Sequence, residues 1–300
     1  MSKPKIEELV EKAKVLHESL PYIKDFYGKT FVIKYGGSAM TETNLRESFA
    51  RDIVLLKYVG INVIVVHGGG PQINTMLRKL GIKQEFIGGL RKTDEDTMHV
   101  VEMVLSGDIN KDIVALINRY SGENIYAVGI SGRDGRLLKA RKANSSTLKE
   151  MGIDINGDLG YVGFIENVNT DILESLIGKD YIPVIAPIGV GESGEAYNIN
   201  ADIAASEIAS YMKAEKLIFL TDTEGVYNEK GEIVSTLNKE KAERMIKEGT
   251  IKGGMVPKVR FGVKALERGV RKVHIVDGRI EHSLLLEIFT HEGIGTEIVL

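Results

Sequence analysis

A three-layer α/β/α fold around an open, mostly parallel sheet is what this sequence predicts, and two observations predict it. From Lys29 onward, short and nearly continuous apolar runs rich in Val and Ile alternate with longer stretches of helical periodicity. Strands covered on both faces have that composition. The residues that follow several of these runs are glycines, lysines and acids, which suits the rule that such sheets bind ligands beyond the carboxyl ends of their strands. At 300 residues, 43% of them hydrophobic, the chain can bury a full core as one large domain or two lobes.

Composition excludes several classes of function. A net charge of −3 gives no general attraction to nucleic acid or anionic membrane, so any anion site must be a local basic cluster. Without cysteine there are no disulfides, no thiolate nucleophile and no Cys-based metal site. No apolar run reaches the ~20 residues that span a bilayer. The N-terminus, studded with Lys and Glu, does not read as a secretory signal, and a cytoplasmic protein is the expectation.

The elements follow in order. Ile6, Leu9, Val10, Ala13, Leu16 and Leu20 form one apolar stripe, an amphipathic helix over residues 5–20. Pro21 and Gly28 separate it from the first strand. That stripe packs either on its own domain or on a second subunit. Strands are expected at Thr30–Tyr35, Asn62–His67, Ile125–Ile130, Tyr181–Ile188, Lys216–Thr221 and Lys272–Val276. Helices are expected at Leu45–Tyr58, Pro71–Leu80, Asp94–Asn118, Ala201–Met212 and Val256–Arg268. Residues 131–163 read as hairpins and loops projecting from the sheet, with Lys139–Lys142 as a solvated face.

The motifs at the strand ends carry the chemistry. Phe31–Ser38 puts Lys34 in a buried strand and Gly36-Gly37 just beyond it; a lysine there needs an anion, and bare glycine N–H groups hold anionic oxygens. His67-Gly-Gly-Gly-Pro71 opens a helix whose first position is proline, and its backbone donors and positive helix end again favour an anion. His67 itself reads as structural. Gly88–Thr93 carries Arg91, the side chain suited to gripping a carboxylate with two bonds; Asp94–Asp96 are first-turn acids rather than metal ligands. Tyr197–Asp202 sets Asn198, Asn200 and Asp202 around a helix start, Thr221–Tyr227 follows a strand, and Gly253–Lys258 again puts a lysine on a helix's first turn after glycines. Gly189–Gly194 fits G-x-G-x-x-G, but the helix begins only after Asn200, so the segment reads better as a hairpin than as a dinucleotide fingerprint. P-loop and protein-kinase signatures are absent.

Six motifs in one order, IKYGG (33–37), VHGGG (66–70), GLRKT (89–93), YNINAD (197–202), LTDTEGVY (220–227) and GGMVPK (253–258), resemble the acetylglutamate kinases of the amino acid kinase family from Lys29 to the C-terminus. The resemblance implies transfer of the ATP γ-phosphoryl group to the side-chain carboxylate of N-acetyl-L-glutamate, a step towards arginine. It implies that Lys34 and Lys258 meet the transferring group and that Asp202 positions both. Gly36 and Gly37, with Gly69 and Gly70, would supply N–H donors, Arg91 would grip the acceptor's α-carboxylate and Asn198 its amide end. Asp222, Gly225, Tyr227, Thr250 and Lys252 match the ATP-contacting segments. Residues 1–27 would be an oligomerising helix, 28–188 a lobe for the acyl amino acid and 189–300 a nucleotide lobe. The N-terminal helix and Ile280–Thr296 further resemble the arginine-inhibited, hexameric branch, which implies an inhibitor near Tyr22, His282, Glu287 and Gly295.

The chemistry fits that assignment. A carboxylate acceptor with a pKa near ~4.3 is already ionised at neutral pH and needs no general base. What it needs is alignment and relief of repulsion between two anions, which lysines, N–H donors and Mg²⁺ supply. No dedicated metal cage is expected, because Mg²⁺ can ride on phosphates and water. Three other readings fit the same residues: a kinase for the longer N-acetyl-aminoadipate or a carrier-linked acid, a dinucleotide-dependent oxidoreductase, and a sensor that kept the fold without turnover.

Overall fold

A computed structural model describes residues 6–150 and 157–300. Residues 1–5 of the expected N-terminal segment and 151–156 of the expected hairpin region lie outside the described residues.

In chain order, α1 (Ile6–Phe26) leads to β1 (Thr30–Tyr35), α2 (Thr43–Tyr58), β2 (Asn62–His67) and α3 (Gly70–Lys79). A small hairpin, β3 (Phe86–Ile87) and β4 (Leu90–Arg91), precedes α4 (Glu95–Glu102), a π-helical segment (Met103–Ile109) and α5 (Asn110–Tyr120). Then come β5 (Tyr126–Ser131), β6 (Leu138–Lys142), α6 (Ser145–Glu150), β7 (Gly163–Val168), α7 (Asp171–Ile177) and β8 (Tyr181–Ala186). The chain continues through β9 (Ile188–Val190), β10 (Ala196–Asn198), α8 (Ala201–Tyr211), β11 (Lys216–Thr221), β12 (Thr236–Asn238) and α9 (Lys239–Lys247). It closes with α10 (Met255–Glu267), β13 (Lys272–Asp277), α11 (Ser283–Phe289) and β14 (Thr296–Val299).

One eight-stranded sheet runs in the order β12-β14-β13-β11-β1-β2-β8-β5. Every pairing in it is parallel except β13 with β14. Alternate residues of each strand feed opposite faces, as pleating requires. Phe31, Ile33, Val63, Val65 and Ile218 join one apolar cluster with side chains of α2 and α5, such as Ile53 and Ile117. Val32, Ile64, Val66, Leu217 and Phe219 join the other with Ile208 of α8 and Phe261 of α10. Both faces are therefore covered, which gives the three layers. β1 lies between β2 and β11, so chain order reverses there and a crevice opens beyond its carboxyl end. A second, four-stranded sheet runs in the order β10-β9-β6-β7.

Residues 131–163, expected as hairpins and loops, also hold the short helix α6, and three expected elements differ in extent, each for a physical reason. The first helix continues through Pro21 to Phe26. Proline gives up one N–H there, but the turn after it is held by packing: Tyr22 stacks on Phe26 at 6.5 Å and Phe26 meets Phe31 edge-on at 5.2 Å. The single helix expected over 94–118 starts where Asp94 accepts the Thr97 N–H, but a π-helical turn at Met103–Ile109 interrupts it. That wider turn lets Leu105 and Ile109 both close on Gly69, where an added Cβ would lie 2.6 Å and 2.4 Å from their methyl groups. The run expected over 181–188 splits at Pro187, which cannot donate to a ladder, so β9 joins the smaller sheet.

Ile64 sits at the sheet's centre and is fully buried. Ile64→Ala should lower unfolding free energy by about 2–5 kcal/mol, read as a lower urea midpoint at constant slope. A change of only a few tenths would mean the two covered faces are not the core.

Candidate active site

Lys34 lies on β1 four residues from the strand's start, where its backbone is fixed between Val66 of β2 and Phe219 of β11. Lys258 lies on the first turn of α10. Far apart in sequence, both ammonium groups meet the same carboxylate: Lys34 Nζ is 3.2 Å from Asp202 Oδ1 and Lys258 Nζ is 2.6 Å from Asp202 Oδ2. Asp202 stands on the first turn of α8, whose N-terminus is capped by the Asn200 side chain through the Asp202 and Ile203 N–H groups. Burial alone would push the Asp202 carboxyl up, but the two lysine charges outweigh it and bring it down to about 2. The triad carries two cations and one anion, so its net charge is positive and it favours an incoming anion.

Two cavities adjoin this triad. One of about 210 Å³ is lined by Gly69, Gly70, Ile73, Leu105, Arg91, Asn198 and, one residue before Asp202, Ala201. Arg91 stacks over the Phe86 ring at 4.7 Å and donates from Nη2 to Asn74 Oδ1 at 2.5 Å. Its Nη1 is buried with no hydrogen-bond partner, a donor that costs free energy until an acceptor arrives. Asn198 Nδ2 donates to Thr93 Oγ1 at 3.1 Å, and that hydroxyl donates to Arg91 O at 2.9 Å. One hydroxyl thus links Arg91 and Asn198 across the cavity wall.

The second cavity, of about 700 Å³, is lined by Gly225, Tyr227, Thr250, Lys252 and Met255, the last of them one turn before Lys258. Asp222 immediately precedes Thr223, which lines this second cavity. Its Oδ1 accepts the Ser38 N–H at 2.6 Å, and an added Cβ on Gly37, whose φ is +71°, would fall 2.3 Å from that oxygen. A Cβ on Gly36 would fall 2.4 Å from Lys34 Nζ. Glycine is needed at both positions for side chains to reach the cleft.

The residues expected near an inhibitor fall into two groups. Glu287 lies on α11, buried, accepting the Ile294 and Gly295 N–H groups at 2.7 Å and 3.0 Å. Its Oε1 is 2.6 Å from His274 Nδ1, and His274 Nε2 is 2.9 Å from Lys216 Nζ. Lys216 sits over the Phe26 ring at 5.2 Å, and Phe26 stacks with Tyr22. Tyr22, Glu287 and Gly295 therefore share one neighbourhood. His282 is engaged elsewhere, with Asp52 Oδ1 at 2.6 Å and the Ser48 hydroxyl at 2.7 Å, both on α2. Burial, with the nearby Lys272 charge, lowers Lys216 to about 8. Glu287 stays below the usual carboxylate range despite its burial because the His274 hydrogen bond favours its charged form.

Sequence reading missed Asn74, Thr93, Lys216 and His274. Thr93 stood inside a quoted motif, whereas the others are single residues on regular elements, with no local signal. The G-x-G-x-x-G match proves to be the β9–β10 hairpin, with Gly191 N–H donating to Glu195 O at 2.9 Å and no helix starting among its glycines. That geometry removes the dinucleotide reading.

Two lysines on one aspartate at the reversal point of a parallel sheet, near a smaller cavity that holds a buried arginine donor and near a larger one, are the features of a phosphoryl-transfer enzyme acting on a small acid. The model of the amino acid kinase family matches residues 29–277, and the chain belongs to that family. It is 68% identical over 295 residues to the acetylglutamate kinase of Aquifex aeolicus (strain VF5), covering 98% of this chain and 99% of that one. Among solved structures, N-acetylglutamate synthase from Neisseria gonorrhoeae with coenzyme A and N-acetyl-glutamate superposes with a TM-score of 0.83 at 27% identity. The match covers 96% of this chain and 63% of the synthase. The same synthase with coenzyme A and L-arginine gives a TM-score of 0.79 at 26% identity, over 96% of this chain and 65% of that one.

Because Asp202 is held at about 2 in the folded chain and titrates near ~3.9 when unfolded, the stability it contributes is present above pH ~4 and lost as pH falls towards 2. Melting temperature followed from pH 6 to pH 2 should show this acid limb, and Asp202→Asn should flatten it. An unchanged limb in the variant would place the acid sensitivity elsewhere.

Proposed function

We infer that this chain catalyses the acetylglutamate kinase reaction, moving the γ-phosphoryl group of ATP to the side-chain carboxylate of N-acetyl-L-glutamate in arginine biosynthesis. One observation carries the reading: two lysines on a shared aspartate, between a cavity with an unpaired Arg91 donor and a cavity lined by Tyr227, Thr250 and Lys252. The acceptor lies in the first cavity, its α-carboxylate on Arg91 and its acetamido end against Asn198. The nucleotide lies in the second, along Asp222, Gly225 and Tyr227, and we take the cytoplasm as the compartment.

The reaction forms one bond and breaks one. A carboxylate oxygen attacks the γ-phosphorus, the bond to the bridging oxygen of ADP breaks, and ADP leaves; no proton has to move. Lys34 screens the approaching anions and Lys258 the charge that builds towards ADP, while Asp202 keeps both ammonium groups aimed at one point. Gly36 and Gly37, with Gly69 and Gly70, add backbone N–H groups. Among the described residues no cluster of three or more His, Asp or Glu could hold a metal. Magnesium would therefore travel on the ATP phosphates and water, where it offsets their charge.

Arginine is a second ligand of this reading. The buried Glu287 carboxylate suits a guanidinium and Lys216 an α-carboxylate, with Tyr22, His274 and Gly295 around them; a fold relative has been solved with L-arginine. This replaces His282 by His274 as the histidine of that site. On α1, Val10, Leu16 and Leu20 are exposed, and we propose that they pack on a second copy of the chain, joining dimers into a hexamer.

Lys34→Ala and Lys258→Ala should each lower kcat by roughly a hundredfold or more in a coupled ADP-release assay with N-acetyl-L-glutamate. Arg91→Ala should instead raise the KM for the acyl amino acid with the KM for ATP unchanged. Loss of nucleotide binding in that variant would reverse the placement of the substrates, and a preference for N-acetyl-aminoadipate would change the acceptor.

Removal of residues 1–20 should lower the mass measured by light scattering and weaken inhibition by added arginine. Unaltered mass would remove the proposed role of α1 in assembly, and undiminished inhibition its part in the arginine site.

A further inference from the structure

His67 ends β2 and is fully buried just before the three glycines. Its Nδ1 lies 2.8 Å from the Gly68 carbonyl oxygen and its Nε2 3.2 Å from Asn110 Nδ2. A carbonyl can only accept, so Nδ1 carries the hydrogen and Nε2 accepts from the Asn110 amide. The surroundings agree on that arrangement. Asn110 Nδ2 also donates to Val184 O at 2.9 Å, while its Oδ1 accepts from Lys111 Nζ at 3.1 Å. Burial, aided by the Lys111 charge, lowers the imidazole to about 4 against its bond to Gly68, so the ring is neutral near pH 7.

Gly68 is consequently held at both ends, its N–H on Tyr35 O at 2.8 Å and its C=O on the imidazole. The Gly68–Gly69 peptide is trans and planar, so its C=O and its N–H point in opposite directions. Fixing the first fixes the second. A peptide between two glycines can otherwise rotate at little cost. On its other side Gly69 meets Leu105 and Ile109 of the π-helical turn, and it lines the acceptor cavity.

We propose that His67, locked by Asn110, is a positioning residue that aims the Gly69 N–H at the oxygens of the acceptor–phosphoryl junction. The proposal rests on the placement of the acceptor in the first cavity. His67 touches no reacting atom; it acts through the Gly68 carbonyl.

His67→Leu and His67→Asn test it, since leucine keeps bulk without a donor and asparagine puts an amide N–H close to the position of Nδ1. Losing an oxyanion donor outright costs ~10²–10³ in rate, so misaiming one should lower kcat roughly thirtyfold in His67→Leu, with His67→Asn within about threefold of the unaltered chain. The KM for ATP should stay constant in both. Nitrogen-15 NMR of the full, unsubstituted chain should show His67 with its hydrogen on Nδ1, a reading that does not depend on either variant folding. Wild-type kcat in His67→Leu, equal loss in both variants, or a hydrogen on Nε2 would each overturn the proposal. The Lys34 and Lys258 variants test the site reading separately, so either can fail without the other.

Discussion

Everything at this cleft depends on one carboxylate shared by two ammonium groups. Taking a charge out of water costs several kcal/mol per ion, and only close pairing with good geometry offsets it. Asp202 pairs with both lysines, through a hydrogen bond from Lys258 and a 3.2 Å ion pair with Lys34, and sits on the first turn of α8, where the helix dipole favours a negative charge. The triad ties β1, α8 and α10 together at the point where strand order reverses. It also leaves one positive charge in excess, which an anionic reactant in the cleft would offset. The same pairing keeps the two ammonium groups close enough together to meet one small anion.

Much of this was legible in the sequence because buried parallel strands have no polar face to hide their pattern. Thr30–Tyr35, Asn62–His67 and Lys216–Thr221 match expectation residue for residue. The candidate site residues stood out too, since glycines and lysines at strand ends break an apolar pattern visibly. The departures came where long-range packing outweighed a local rule. Pro21 should end a helix, yet the Tyr22–Phe26–Phe31 aromatic contacts carry it one further turn. The π-helical turn has no compositional mark beyond Gly107, because what demands it is Gly69 on a different element. Short edge elements such as β12, α11 and β14 were not anticipated, being too brief for any period to show.

Partner residues were the least legible part of the site. Asn74 anchors Arg91, Thr93 anchors Asn198 and Asn110 anchors His67, and each lies in or beside a helix or strand where a polar residue is ordinarily a surface one. Their roles come from tertiary contacts across 17, 105 and 43 residues of chain. A single sequence carries no trace of such pairs. The same holds for Lys216, His274 and Glu287, where Glu287 alone stood in a stretch that drew attention.

The two ends of β11 carry different chemistry. Lys216 begins that strand beside His274 and Glu287, and Asp222 follows its end at the glycine loop of β1. A six-residue strand hydrogen-bonded on both sides does not stretch or bend to signal from one end to the other. A ligand shifts an equilibrium only by binding one state better than another. Any effect of a ligand at Lys216 on the cleft therefore has to arise from elements free to move against the sheet. α1 is the candidate, since it packs on α11 and reaches Lys216 through Phe26. In the assembly proposed above, its exposed apolar face would also carry the change to a second copy of the chain.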